Sequence, residues 1–192
     1  MKLILKDKAK VTIFANIFHN LKNILDDANI SFMPTHLYMQ GMDGTHALLV
    51  ELKIESEWFD EYEVDTNDTF GLHCETFYKI INCLKEDQYI ELTLEPADDK
   101  MCISFQGGDT IAKEFQLSRI DMDVELMEIP DVEYQADICI KSKEFSEIMK
   151  ELVIFNDTVQ VRCTDEQIEL LASGILGSMK ASIKETDIIT YA

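Results

Sequence analysis

A spacing of apolar residues, Phe-x-x-Ile-x-x-x-Leu, occurs three times in the chain and constrains its fold more than any other feature of the sequence. The copies are separated by offsets of 63 and 68 residues and lie at Phe14/Ile17/Leu21, Phe77/Ile80/Leu84 and Phe145/Ile148/Leu152. At about 100° per residue, each trio falls within about 60° of a helix surface. The spacing therefore predicts three short helices in three repeated units, each helix with one buried apolar face.

Alternating apolar and polar residues, interrupted by a polar turn, follow each predicted helix, and this pattern is typical of a hairpin. The predicted strands are 30–32, 37–42 and 47–54 in the first unit, 89–94 and 101–105 in the second, and 159–163 and 167–172 in the third. The turns fall at 34–35, 96–100 and 164–166, and Gly107-Gly108 marks a further hairpin-type turn. The sequence thus predicts an α+β fold in which helices pack on one face of antiparallel sheets.

The stretch 120–130 alternates acidic and apolar residues and ends at Pro130. An extended connector between domains and an edge strand both explain this pattern, and the two interpretations are compatible. With two units to a domain, we expect an N-terminal domain at 1–118, a connector at 119–134 and the first half of a second domain at 135–192.

The chain is strongly acidic: 17 basic and 37 acidic residues give a formal net charge of −20. General nucleic-acid affinity is disfavoured by this charge, although one local basic strip is compatible with it. The five cysteines form no CxxC pair, which is typical of reduced thiols buried as small apolar residues. Since no apolar run has the length of a membrane span, we expect a soluble, intracellular protein with no membrane partner.

No motif of an enzyme, a metal site or a cofactor site is present in the sequence. The four histidines belong to no HExxH or zinc-type spacing, and no glycine-rich phosphate loop occurs. The carboxylates are many, but none forms a local pair that differs from an acidic surface. We therefore expect a protein that is not an enzyme and that needs no cofactor.

Several stretches follow one another in an order that carries a family resemblance. The most specific is 37–52, with a strand, a Met42-Asp43 turn and His46 leading the next strand. The others are Trp58-Phe59-Asp60 with Tyr62 and Asp65, Lys79-Ile80-Ile81, the connector residues 121–125 with Ile129-Pro130, and 172–177. In this order the chain resembles the proliferating cell nuclear antigen family of DNA sliding clamps over nearly all of its length.

The resemblance implies two similar domains per subunit, each made of two helix-plus-sheet units, with three subunits closing a ring around duplex DNA. It implies a polymerase processivity factor in the nucleus or in a viral replication compartment. Its partners would be double-stranded DNA, DNA polymerase, other proteins with short clamp-binding motifs, and a clamp loader. A complete subunit of this family carries a fourth unit, so we expect a C-terminally truncated piece rather than a short divergent form.

The resemblance also places the family's DNA-facing positions on the polar sides of the three helices. These positions are Lys22, Lys79 and Lys150, with Asn16 and Asn82 as polar substitutes. Scattered lysines suit a ring that must slide along phosphates, because sliding needs no strong base contact. The family usually has Lys or Arg at Ala15, Asn16, Asn82 and Glu147, so we expect a smaller electrostatic share in DNA binding. Solvated helix lysines without a specific role are the alternative interpretation.

The partner-binding residues implied by the resemblance lie where the connector crosses the first domain. They are Met42, Asp43, His46, Met127, Ile129 and Pro130. In the family, such a pocket accepts aromatic and aliphatic anchors of a short motif, and methionine suits a surface that accepts several partners. Without the resemblance, Met42 as plain core and His46 as an ordinary hydrogen-bonded histidine are the simpler interpretations.

Two alternatives to a homotrimeric clamp stay open. An acidic module that mimics DNA, or otherwise binds basic proteins without encircling DNA, would use the charge of −20. Such a mimic has no need of lysines on the polar faces of repeated helices. A heteromeric ring of the checkpoint or viral type is equally compatible with the residues.

Overall fold

The computed structural model describes residues 1–95, 99–109, 111–123, 126–129, 138–164, 167–184 and 190–191. The chain divides into two compact units, Met1–Glu128 (unit 1) and Ile129–Ala192 (unit 2). In the described part of the chain, no helix is both long and apolar enough to cross a membrane. The domain boundaries expected from the sequence stay predictions.

The described residues of unit 1 form two α-helices, a short 3-10 helix and two antiparallel sheets. The elements are β1 (Lys2–Leu5), α1 (Lys8–Leu21), β2 (Asp27–Phe32), β3 (His36–Met42), β4 (Leu49–Glu55), the 3-10 helix (Ser56–Trp58), β5 (Glu61–Glu63), β6 (Asp68–His73), α2 (Cys74–Ile81), β7 (Tyr89–Thr93), β8 (Lys100–Gln106) and β9 (Lys113–Ser118). One sheet has the strand order β4-β3-β2-β6, and the other has the order β5-β1-β7-β8-β9. The predicted α+β class is confirmed.

Helix α1 begins at a side-chain cap and buries one face. The Asp7 carboxylate accepts hydrogen bonds from the backbone amides of Ala9 at 2.8 Å and Lys10 at 3.1 Å, which satisfies two free donors of the first turn. The buried residues recur every three or four positions, at Val11, Phe14, Phe18 and Leu21. This period keeps one stripe of α1 against the core.

The two helices of unit 1 meet through aromatic rings. Phe77 of α2 lies edge-on to Phe18, with centroids 4.5 Å apart, and to Phe14, with centroids 6.4 Å apart. Such pairs contribute about 0.5–1.5 kcal/mol beyond the burial of their area. These rings join inward-facing side chains of both sheets, among them Leu3, Phe32 and Phe105, in one core. The predicted packing of helices on one face of each sheet is thus observed.

The residues of the predicted apolar trios are only partly buried. In α1 and α2 the isoleucines Ile17 and Ile80 are half-buried, while Phe18 and Ile81, one position further on, are buried. Leu84 lies beyond the end of α2 at Ile81 and is also half-buried. The stripe is centred between the i+3 and i+4 positions, because 3.6 residues make a turn.

The strand pattern was predicted in part. The predicted strand from Ala47 begins instead at Leu49, because residues 43–48 form a turn held by Asp43. Lys100, predicted in a turn, is the first residue of β8, and Pro96 lies outside the described residues. The Gly107-Gly108 turn joins β8 to β9, and both glycines have positive φ. In unit 1, strands β1, β5, β6 and β9 were not predicted.

Unit 2 has one helix and two small antiparallel sheets among its described residues. The elements are β10 (Ile138–Cys139), α3 (Ser142–Leu152), β11 (Gln160–Cys163), β12 (Gln167–Gly174), β13 (Gly177–Lys184) and β14 (Thr190–Tyr191). The strand orders are β11-β12-β13 and β10-β14. A small core contains Leu152, Ile168, Leu170, Ala172 and Ile183.

The prediction of a fully buried face is wrong for α3. Leu152 is buried, but Ile148 is half-buried and Phe145 is 41% exposed. The reason is the number of helices: α1 and α2 cover each other in unit 1, whereas α3 has no second helix beside it among the described residues of unit 2.

Candidate functional site

Residues 119–128, which we call the strap, run across the outer face of the four-stranded sheet, with 124–125 outside the described residues. The backbone amide of Ile120 donates to the carbonyl oxygen of Gly71 in β6 at 2.9 Å. The Asn29 side-chain amide in β2 donates to the carbonyl oxygen of Met122 at 3.2 Å. The strap therefore passes from the edge strand β6 to its neighbour β2.

The next strand, β3, holds the strap with a pair of hydrogen bonds from one side chain. Gln40 Nε2 donates to the carbonyl oxygen of Met127 at 3.0 Å, and the Met127 amide donates to Gln40 Oε1 at 2.7 Å. Gln40 is only 7% exposed. A buried polar side chain is costly unless its hydrogen bonds are made, so the fit of this amide to one backbone residue selects one position for the strap.

An arginine fixes the start of the strap at the sheet edge. Arg119 donates from Nη1 to Asp68 Oδ1 at 3.1 Å and from Nη2 to Asp68 Oδ2 at 3.3 Å. It also donates to the carbonyl oxygen of Thr69 at 2.5 Å, and its guanidinium lies 5.4 Å from the Phe70 ring centroid. Two-point pairing and stacking use the planar shape of the guanidinium, which lysine lacks.

The β3–β4 turn beside the strap is organised by a single carboxylate. Asp43 Oδ1 accepts from the backbone amides of Ala47 at 2.8 Å and Leu48 at 2.7 Å, and Oδ2 accepts from the Thr45 amide at 3.2 Å and from the Thr45 hydroxyl. These bonds favour the ionised form, the Thr45 hydroxyl most of all, and lower the pKa of Asp43 to about 2. Both carboxylate oxygens are thus engaged within the turn.

His46 and Met42 meet at this turn. His46 has a φ of 58°, in the left-handed region, and its Nδ1 lies 3.1 Å from the Met42 sulfur. Side chains two residues apart on a strand share a face, so Met42 lies on the same outer face of β3 as Gln40. The fold therefore brings Met42, Asp43, His46 and the strap residue Met127 to one region of unit 1.

Apolar side chains of the strap and the turn remain exposed. Leu126 is 59% exposed and Met127 is 43% exposed, and Leu48 in the turn is exposed as well. Exposed apolar side chains grouped beside a fixed backbone are typical of binding surfaces. Of the remaining predicted partner-binding residues, Ile129 belongs to unit 2 and is 51% exposed. Pro130 lies outside the described residues.

The polar sides of α1 and α2 meet around Tyr78. Lys22, the C-terminal cap of α1, places its Nζ 5.0 Å from the Tyr78 ring centroid, a cation–π distance. The His19 ring lies 4.9 Å from the same ring. Helix α1 carries Lys8, Lys10 and Lys22 at or near its ends and no acidic residue from 8 to 22. Helix α1 is therefore cationic at its two ends, although Lys8 is paired with Asp87 at 3.1 Å and Lys10 lies 6.0 Å from the Trp58 ring centroid.

Lys79, a predicted DNA-contacting residue, has an acidic neighbour on its own helix. Its Nζ lies 2.9 Å from Glu75 Oε1 in an exposed i,i+4 pair. The Lys79 hydrogen bond is the largest cause that lowers the pKa of the Glu75 carboxyl, and the charge of Lys22 lowers it further. Phosphate would have to compete with this carboxylate for Lys79.

The other predicted DNA-contacting residues are exposed on helices or helix ends. Asn16 lies on α1, Asn82 caps the C-terminus of α2, and Lys150 lies in the last turn of α3. The structure groups Lys22 with the α2 residue Tyr78, whereas Lys150 belongs to unit 2.

Sequence reasoning missed the residues that hold the site together, namely Gln40, Asn29, Arg119 and Tyr78. Tyr78 was within reach, because it precedes Lys79 on a predicted helix. For Gln40 and Asn29 the available signal was weaker: each is a polar amide within a strand rich in apolar residues. Such an amide indicates that another segment covers the outer face of the sheet. It does not indicate which backbone groups the amide binds.

Among the described residues, no group of three or more His, Cys, Asp or Glu side chains is placed to hold a metal ion. The comparison with family profiles gives two matches. The N-terminal domain of proliferating cell nuclear antigen matches residues 5–126, and the C-terminal domain of proliferating cell nuclear antigen matches residues 128–191. Together the two matches cover nearly the whole chain, and the junction between them falls at the end of the strap.

Proposed function

The chain belongs to the proliferating cell nuclear antigen family of sliding clamps, and from this membership we propose that it is a subunit of a ring that encircles duplex DNA and tethers DNA polymerase. The ring is trimeric, acts in the nucleus or a viral replication compartment, and is placed on DNA by a clamp loader. The protein works as a scaffold, not as an enzyme.

The observation that carries this proposal, beside the family membership, is the charge of α1. The protein has a net charge of −20, yet 8–22 contains three lysines and no acidic residue. Phosphates are attracted to such a cationic segment, while the acidic remainder of the surface repels DNA. In unit 1, Lys22 and Lys79 with Asn16 and Asn82 face the DNA, and in unit 2 Lys150 does so. The contacts are few and not base-specific, so the ring can slide along the duplex. It stays on the DNA because it surrounds the duplex.

The strap and the β3–β4 turn form the surface for protein partners. Met42, His46, Met127 and Leu126 offer adaptable and apolar contacts, and the expected partner-binding residues Ile129 and Pro130 follow Met127 in the sequence. Methionine accepts differently shaped anchors, which suits a clamp that serves several polymerases and repair proteins. Asp43 contributes by holding the turn in shape. A short motif with aromatic and aliphatic anchors is the ligand that this surface fits.

A primer-extension assay with the cognate polymerase tests the DNA-facing role. Reversing three helix lysines to glutamate (Lys22→Glu, Lys79→Glu, Lys150→Glu) should shorten the products at unchanged fold. The matched control reverses three exposed strand lysines (Lys53→Glu, Lys100→Glu, Lys180→Glu) and changes the net charge equally. Products shortened equally by both variants would remove the assignment of the helices as DNA-facing.

The acidic composition favours a second function, the binding of basic proteins by an acidic surface that mimics DNA. A mimic gains affinity for basic proteins whenever positive charge is removed from it. Both triple variants should then bind basic proteins more tightly, whether the reversed lysines lie on helices or on strands. This binding should not require DNA.

A further inference from the structure

The two lysines of unit 1 that are expected to face DNA have different neighbours. Lys79 is paired with a carboxylate, since its Nζ lies 2.9 Å from Glu75 Oε1. Lys22 makes no ion pair among the described residues; its Nζ lies 5.0 Å from the centroid of the Tyr78 ring and donates to Asn23 Oδ1 at 3.3 Å. An ammonium has three N–H donors, so the Lys22 ammonium can still donate to a phosphate.

The Tyr78 ring leaves the charge of Lys22 intact, which a carboxylate would not do. In an ion pair the two charges cancel each other at distances beyond the pair. An aromatic ring is neutral and attracts a cation only through its quadrupole, so Lys22 keeps its full charge for phosphates. The same charge lowers the pKa of the Glu75 carboxyl. The ring therefore holds Lys22 in the presence of a competing carboxylate near by.

The ring that holds Lys22 is itself held by α1. Tyr78 is half-buried on α2, and the His19 ring packs against it with centroids 4.9 Å apart. His19 and Lys22 are three residues apart, and positions i and i+3 lie on one side of a helix. Asn23 joins them, because its Nδ2 donates to the carbonyl oxygen of His19 at 3.2 Å and its Oδ1 accepts from Lys22. Lys22 is half-buried in this cluster, which limits the positions of its side chain.

From these contacts we propose that Tyr78 is a positioning residue for DNA binding, which holds Lys22 in place with its charge uncompensated. The inference rests on the proposed function, which assigns Lys22 to the DNA-facing side. A lysine that is already held loses less side-chain entropy when it meets a phosphate, so its contact is tighter than that of a free lysine. The contact carries no base preference and is compatible with sliding. Tyr78 acts through Lys22 and has no need to touch DNA.

The affinity of the full chain for a short duplex, measured by the fluorescence anisotropy of labelled DNA, tests this role. Tyr78→Leu removes the ring and keeps the net charge, and it should lower the affinity about two- to fivefold, as the loss of an exposed cation–π contact predicts. Tyr78→Met, a second variant without the ring, should behave in the same way. Tyr78→Phe keeps the ring and should retain the affinity. In a Lys22→Gln background, Tyr78→Leu should have no further effect, because the residue that it positions is absent.

The matched control is Tyr89→Leu. Tyr89 also has a lysine over its ring, Lys6 at 5.9 Å, but its side chain lies on the face of β7 that is turned away from the core and the helices. This variant should leave the affinity unchanged. Circular dichroism establishes that each variant is folded.

Three results would overturn the role of Tyr78 alone. They are an equal loss of affinity in Tyr78→Leu and Tyr89→Leu, a loss in Tyr78→Phe as large as in Tyr78→Leu, and a loss from Tyr78→Leu that is the same with and without Lys22. In each case a lower affinity of the single variant Lys22→Gln would still support the proposed function. If the unchanged chain does not bind the duplex at all, the proposed function and this inference both fail.

Discussion

Gln40 and Met127 stand 87 residues apart in the sequence and exchange two hydrogen bonds, one in each direction, at 3.0 and 2.7 Å. One side-chain amide thus satisfies both backbone groups of one strap residue. The pair fixes the strap against β3, beside the turn that carries His46. The position of the proposed partner surface depends on this pair.

Replacing Gln40 by leucine should release the strap and leave strand β3 intact. Two hydrogen bonds at about 1 kcal/mol each hold the strap against β3, so hydrogen exchange of the amides in 119–128 should accelerate by about 10- to 30-fold. Mass spectrometry of strap peptides measures this. Tyr38→Phe is the control, because it removes a hydrogen bond to Glu51 on the same sheet without touching the strap. Equal acceleration in both variants would contradict the role of Gln40.

Gly71 allows the strap to approach β6, and adding one methyl group there should displace it. A Cβ at Gly71 would lie 2.0 Å from the carbonyl oxygen of Ile120 and 2.9 Å from Asn29 Oδ1. Because the nearest atom is backbone, Gly71→Ala should lower the free energy of unfolding by about 1–3 kcal/mol, measured by urea denaturation. A Cβ at Gly44 meets nothing within 4 Å, so Gly44→Ala should change stability little. Similar losses in the two variants would argue against the close approach.

The pH dependence of the β3–β4 turn follows from Asp43. Its folded pKa of about 2 lies below the ordinary value near 3.9. The carboxylate therefore stabilises the fold above the ordinary pKa, and this contribution is lost as the pH falls from about 4 to about 2. An NMR titration of the Asp43 side-chain carbon should show a midpoint near 2. Thr45→Val should raise the midpoint, since the Thr45 hydroxyl is the largest cause of the shift; an unchanged midpoint would contradict that cause.

Neutralising Glu75 should strengthen DNA contact by Lys79. Glu75→Gln removes the carboxylate 2.9 Å from the Lys79 ammonium, so affinity for a short duplex should rise. The slope of log affinity against log salt should steepen by about 0.9 for one added phosphate contact. Anisotropy titrations at several salt concentrations measure both quantities. The control is Glu55→Gln, which breaks the Lys53–Glu55 pair on β4 at 2.8 Å and changes the net charge equally. An equal rise in both variants would show a general charge effect instead.

The helices were predictable because the spacing of apolar residues in the local sequence shows the helical period. Phe14, Phe77 and Leu152 are buried as the spacing predicts, and the hairpins that follow alternate in the expected way. Phe145 was not predictable, because its exposure depends on whether a second helix covers it. Periodicity identifies the apolar face of a helix. It does not identify the element that packs against that face.

Of the proposed partner surface, the sequence indicated only the turn and the connector. The Met-Asp turn and the apolar connector are visible in the sequence, and the structure brings Met42, Asp43, His46 and Met127 to one region. The contacts that join them, from Asn29, Gln40, Gly71 and Arg119, link residues about 50 to 90 positions apart. Such pairings leave no local pattern, since the fold alone decides which backbone meets a buried amide.

Retention on circular DNA tests the ring most directly. The protein is loaded with a clamp loader onto nicked circular DNA, separated from free protein by gel filtration at elevated salt, and the DNA is then cut once by a restriction enzyme. A topological clamp stays with the circle and is lost when the linear ends appear, because salt weakens its few phosphate contacts without opening the ring. Equal retention on circular and linear DNA, or none on either, would contradict a subunit that encircles DNA.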